Sequence, residues 1–158
     1  MSGNPFWDYS LETYGKPGVA EACLALQDSY GLDVNCLLFC CWAAACGHQL
    51  TIGEALGLEE AVAEWRKEVV EPLRAVRRWM KLHAESQGVP ALRQAIKRDE
   101  LGAEKLQQEM LNRRLPLSPP PEPPASQRDL AQRNLTCYLE ALRRPRPDFT
   151  ALLLAACA

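Results

Sequence analysis

Residues 33–47 read DVNCLLFCCWAAACG, a helix-length segment in which Asn35 is the only polar side chain after Asp33. A helix at a protein surface keeps one polar side, whereas a helix that is apolar all the way round must be enclosed by its neighbours. Its most apolar run, Cys36 to Cys46, is 11 residues long. A membrane-spanning helix needs about 20, so the enclosure has to be protein. With 158 residues, the chain has about one domain's worth of material. The expectation is an all-α, single-domain helical bundle of six or seven helices around a buried central helix at about 34–46.

The rest of the chain carries helical periods and no strand-like alternation. Asn4-Pro5 reads as an N-cap and first helical position for a short helix that runs to Gly15. Pro17 opens a second helix with Val19, Cys23, Leu26 and Tyr30 on one side, stopped by Gly31. Asp33 caps the third helix and Gly47 closes it. Thr51 caps a turn, TIGEALG, ahead of a long helical stretch from Leu58 to about Gln87. There Leu58, Val62, Trp65, Val69, Leu73, Val76, Met80 and His83 form a single stripe, with a kink or restart expected at Glu71-Pro72. Gly88 and Pro90 end it. A further helix, about 91–114, places Leu92, Ile96, Ala103, Leu106 and Met110 on one side. Residues 115–125, LPLSPPPEPPA, hold six of the twelve prolines and favour an extended linker. The organisation expected is a main body over 1–114, a Pro-rich linker over 115–125, and a C-terminal helical extension over 126–158 that packs on the body. Leu135, Tyr138 and Leu139 supply the stripe of that extension.

Seven cysteines, an odd number set mostly in apolar helical sequence, do not make a disulfide framework. The opening MSGNPFWDYSLE has neither the basic nor the apolar region of a signal peptide, so a reduced cytoplasmic protein is expected. The net charge of −2 gives no general attraction to nucleic acid or to a membrane. The charge is polarised, with nine acids and one base in residues 1–64 and seventeen bases with eleven acids thereafter. Complementary packing of the two parts explains this most simply, with a basic face offered to an anionic partner as the alternative.

Two residue sets are candidate sites. Arg74, Arg77, Arg78 and Lys81 share one side of the helix after Pro72. Such a cluster is ordinarily a solvated face, but arginine forks also grip carboxylates or phosphates in bidentate fashion. Gln27, Asp28, Asp33 and Asn35 form a polar set beside the apolar helix. Capping and interhelix hydrogen bonds are its simplest role, and a polar pocket the alternative. Cys36, Cys40, Cys46 and His48 lack the paired spacing of a zinc site, so no metal and no cofactor are expected. Trp42, Trp65 and Trp79 are expected to fill core. Neither a nucleophile elbow, a Cys/His dyad nor a phosphate-cradling glycine loop is present.

The stretches FWDYSLETYGKPGV, ACLALQDSYGLDVNCLLFCCW and the segment from Trp65 that ends PLRAVRRWMK cover about residues 6–82. In them the chain resembles a family of uncharacterised all-helical bacterial proteins, a domain of unknown function. The resemblance implies a helical fold without an assigned activity. Together with the residues above, it leads to the expectation of a non-enzymatic cytoplasmic interaction or regulatory module. Its partner would be a protein, matched to the Arg74–Lys81 face by acidic groups. The alternative is a bundle that binds a small anionic or amphipathic ligand between helices, as an enzyme or otherwise. A pocket lined by Asn35, Gln27 or Arg74 would favour the ligand, and a filled core with an exposed patch would favour the partner.

Overall fold

The computed structural model describes residues 3–157, and all regular structure among them is helical. The helices are α1 (Pro5–Tyr14), α2 (Val19–Tyr30), α3 (Val34–Ala45), α4 (Ile52–Trp65), α5 (Glu71–Leu82), α6 (Val89–Arg114), α7 (Gln127–Ala141) and α8 (Thr150–Ala156). A single π turn, Arg66–Val70, joins α4 to α5 without a break, so these eight segments form seven helical bodies.

Local chemistry sets most boundaries. The Asn4 side chain accepts a hydrogen bond from Trp7 N, and Pro5 starts α1. Gly31, at φ 64°, ends α2 in the left-handed conformation, with its N–H donating to Gln27 O. Asp33 Oδ1 accepts from Asn35 N and Cys36 N to cap α3. Thr51 and Glu54 form a reciprocal capping box. TIGEALG is therefore the first part of α4 and not a turn, and His48 closes over the same Glu54 at 3.0 Å. Two other boundaries move. The rod ends at Leu82, ahead of Gln87, and Pro90 sits in the first turn of α6, where its missing N–H costs nothing.

All ten residues from Asn35 to Ala44 are buried, so α3 is the centre of the molecule. The Phe6 ring meets Phe39 edge-on at 5.0 Å, and Tyr9 lies 5.3 Å from Trp42. The broadest wall against α3 is α7, which buries Ala131, Leu135, Tyr138 and Leu139 in the same core. The Asn134 side chain accepts from Leu50 N and donates to Cys40 O and His48 O, tying the α3–α4 loop to α7. Leu115 and Leu117 of the proline segment pack against this core as well. All seven cysteines are unpaired. Burial pushes the Cys23 thiol up to about 12 and raises those of Cys36, Cys40 and Cys41 well above the ordinary range.

The π turn has the largest effect on the rod. Pro72 has no N–H, and in a regular α-turn its ring would meet the carbonyl of Glu68. The wider turn absorbs this, with Glu71 N–H reaching Arg66 O. A π turn holds one residue more than an α-turn, so side chains beyond it are displaced by about 100° around the axis. The stripe that buries Leu58 and Val62 consequently does not continue through Val76, which is 46% exposed. The inward side of the π turn and α5 is Val70, Leu73, Arg74, Arg77 and Met80 instead. Trp79 is 61% exposed, not core, and Trp65 is half-buried, with its indole N–H donating to Ala103 O at 2.9 Å. On α6 the expected stripe is likewise rotated. Leu92 and Leu106 lie outside, and the buried side is Glu100, Ala103, Gln107, Gln108 and Leu111.

Candidate functional site

Both polar sets picked out in the sequence converge on one region, where α2 turns into α3 against the π turn, α5 and α6. Its deepest layer is a hydrogen-bonded seam. Asp33 Oδ2 accepts from Arg66 Nε at 2.6 Å and from Gln107 Nε2 at 2.5 Å, while Oδ1 caps α3. Asn35 donates to Gln107 Oε1 at 3.1 Å and accepts from Gln108 Nε2 at 2.9 Å; the Gln108 amide also donates to the Ser10 hydroxyl. Arg66 grips Glu59 with both Nη groups at 2.7 Å, and the Tyr138 hydroxyl donates to Glu59 Oε2 at 2.6 Å. Burial raises Glu59, but the hydrogen bonds from Arg66 and Tyr138 outweigh it and hold the carboxyl below its ordinary range. The seam thus links α1, α3, α4, α6 and α7. Polar groups this deep are tolerable because most of their hydrogen-bonding capacity is met.

Above the seam lies an open cleft of about 290 Å³. Gln27, Asp28 and the Gly31–Asp33 turn form one wall, and Val70, Glu71, Arg74 and Arg78 form the other. Gln107 and Arg66 reach it from below. Arg78 Nη2 donates to Asp28 Oδ1 at 3.0 Å across this space, which keeps the Asp28 carboxyl below its ordinary range.

The four-cation face therefore divides. Arg74 and Arg77 turn toward α6, where Arg77 donates twice to the buried Glu100 carboxylate. Arg74 Nη2 donates to Glu104 at 3.3 Å, and its Nε lies 3.5 Å from Glu100. Burial raises Glu104 above the usual glutamate value, with Glu100 adding to the effect and Arg74 opposing it. Arg78 stands at the cleft rim, and Lys81 is exposed. Of the polar set, Gln27 and Asp33 line the cleft, whereas Asn35 is enclosed in the seam.

Sequence reasoning missed Glu59, Arg66, Glu100, Glu104, Gln107, Gln108 and Tyr138. The one available signal was the QQ pair at 107–108, inside a helix whose apolar residues never settle into one stripe.

On its other side, α5 carries Pro72, Ala75, Val76, Trp79 and Leu82, all exposed. His83 stacks on Trp79 with ring centroids 3.8 Å apart, and its Nδ1 lies 2.8 Å from Trp79 O. This strip is an exposed apolar surface, with the Trp79 ring braced by His83.

The chain belongs to the family described as Protein of unknown function (DUF2390), whose model matches residues 5–111. That span takes in the seam's α1, α3, α4 and α6 members, the cleft and the whole of α5, and it ends before α7. No curated protein and no solved structure matches the chain.

Proposed function

We propose that this family member is a non-enzymatic cytoplasmic interaction module that docks a protein partner on the outward side of α5. The observation that carries the reading is the inversion of that helix. Its charged residues Arg74 and Arg77 face the interior, while Val76, Trp79 and Leu82 face solvent, with Leu82 at 78% exposure. A helix shaped only by its own fold would turn those residues the other way. Exposed apolar strips of this kind are characteristic of interaction sites, and tryptophan is enriched among the residues that dominate binding energy. Arg78, one helical turn before Leu82, borders the strip, so the matching partner surface is apolar with a carboxylate at that margin. The unpaired thiols suit a reducing compartment.

The test is a photo-crosslinking amino acid at position 79 in living cells. A discrete crosslinked protein, whose binding to purified chain is lost in Trp79→Ala/Leu82→Ser with the melting temperature unchanged, is the expected result. Absence of any discrete adduct, or binding that survives those changes, would overturn the reading.

A further inference from the structure

The cleft lies on the opposite flank of α5 from the docking strip, and its chemistry is separate. Its lining holds three carboxylates, Asp28, Asp33 and Glu71, and three guanidinium groups, Arg66, Arg74 and Arg78. Not all are committed. Asp33 accepts four hydrogen bonds, and Arg66 is engaged by Asp33 and Glu59. Arg74 and Arg78 lie one helical turn apart on the same side of α5. Arg78 bonds Asp28 through Nη2, and Arg74 pairs with Glu104 through Nη2 and with Glu100 at Nε. Among the described residues, Nε and Nη1 of Arg78 and Nη1 of Arg74 therefore keep N–H groups without a hydrogen bond. The Asp28–Arg78 pair is about half exposed at both ends, with side-chain exposures of 53% and 46%, so it exchanges readily with competing ions.

The balance of charge selects the ligand. A simple anion entering here meets three carboxylates, and a simple cation meets three guanidinium groups. A molecule that carries both signs a few bonds apart can replace both ends of the Asp28–Arg78 pair at once. We propose that the cleft binds a small zwitterion of the α-amino-acid type. Its carboxylate lies on Arg78 and Arg74, and its ammonium group on Asp28 and Glu71. The Arg78 fork suits a carboxylate, which accepts paired N–H groups, and Arg74 adds its charge beside it while still paired with Glu100 and Glu104. Leu32 and Val70 provide apolar wall for a side chain. A volume of about 290 Å³ is at the small end for ligand pockets and suits a molecule of that size.

The experiment uses the purified full chain at low salt, with the twenty protein-forming α-amino acids as probes at millimolar concentration, read by saturation-transfer NMR and thermal shift. Each binder is compared with its N-acetyl derivative, which lacks the ammonium group, and its carboxamide, which lacks the carboxylate. The expected result is that at least one amino acid binds and that each half-ligand binds at least about tenfold more weakly. Arg78→Ala and Asp28→Ala should each cause a comparable loss while leaving the circular dichroism spectrum unchanged. Equal binding by either half-ligand, binding that survives both substitutions, or no binding by any of the twenty overturns the proposal. Arg78 also borders the docking strip, so the half-ligand comparison and Asp28→Ala, which do not touch the strip, separate a failure of this proposal from a failure of the docking reading.

Discussion

The α3–α7 core and the α5–α6 arm solve the same problem, holding two helices together, in opposite ways. Between α3 and α7 the contact is mainly apolar, with Leu135, Tyr138 and Leu139 against a helix buried on every side and Asn134 adding a hydrogen bond to Cys40 O. Between α5 and α6 much of it is ionic, with Arg74 and Arg77 against Glu100 and Glu104, while Trp79, Leu82 and Leu92 stay outside. Apolar burial is non-directional and adds up with area. Buried ion pairs recover little beyond the desolvation they cost and depend on geometry. The core therefore supplies the stability, and the arm leaves its apolar surface available for contact.

The largest test concerns where the core ends. Removing residues 115–158 takes away α7, although the family match stops at 111. The truncated chain should lose cooperative thermal unfolding by circular dichroism, and a sharp melt would show that the body closes without α7. Next come single truncations: Leu38→Ala or Leu135→Ala should each cost about 2–5 kcal/mol in denaturant unfolding. In the arm, Arg77→Ala should cost about 2 kcal/mol, less than stranding a fully buried charge, because Arg74 remains beside Glu100. The double change Arg77→Leu/Glu100→Leu should recover most of that loss, since well-packed apolar groups replace a buried pair without penalty. If the double variant is worse than the single, the arm is held by its ions after all.

Two carboxylates sharpen the contrast through pH. Glu59 is held below its ordinary range, so its contribution is complete above the unfolded value of about 4.3 and is lost as pH falls through the folded one. Glu104 is held above its range by burial, so its contribution is complete below the unfolded value and is lost as pH rises through the folded one. In melting curves against pH, the deficit of Glu59→Gln should close in acid, whereas Glu104→Gln should gain on the wild type as pH rises. Parallel curves would remove the assigned difference. The smallest effect belongs to Trp79→Ala/Leu82→Ser, which should leave stability within about 0.5 kcal/mol. A larger drop would mean that the strip serves the fold.

Features decided within a few residues were legible in the sequence. The caps at Asn4, Asp33 and Thr51, the stop at Gly31 and the enclosure of α3 each follow from neighbouring side chains. What failed needed information from far along the chain. The 58–83 stripe is regular in sequence, and only the accommodation of Pro72 by a wider turn moves Val76 and Trp79 outside. Gln107 and Gln108 have their partners in Asp33, Asn35 and Ser10, 72 or more residues away, and no local pattern announces them. The cleft was half visible: Gln27 and Asp33 were picked out as one set and Arg74 and Arg78 as another, with nothing in their spacing to join them.

The π turn also makes length, rather than composition, the sensitive variable between Arg66 and Val70. Loss of one residue there would remove the wide turn and rotate α5 by about 100°, with the rod kinked at Pro72. Every side chain downstream would change sides together, sending Val76 toward α6 and swinging the arginines away from Glu100. One codon gained or lost in ancestry can therefore exchange a self-contained helical hairpin for one that displays its apolar side, with no substitution anywhere in α5.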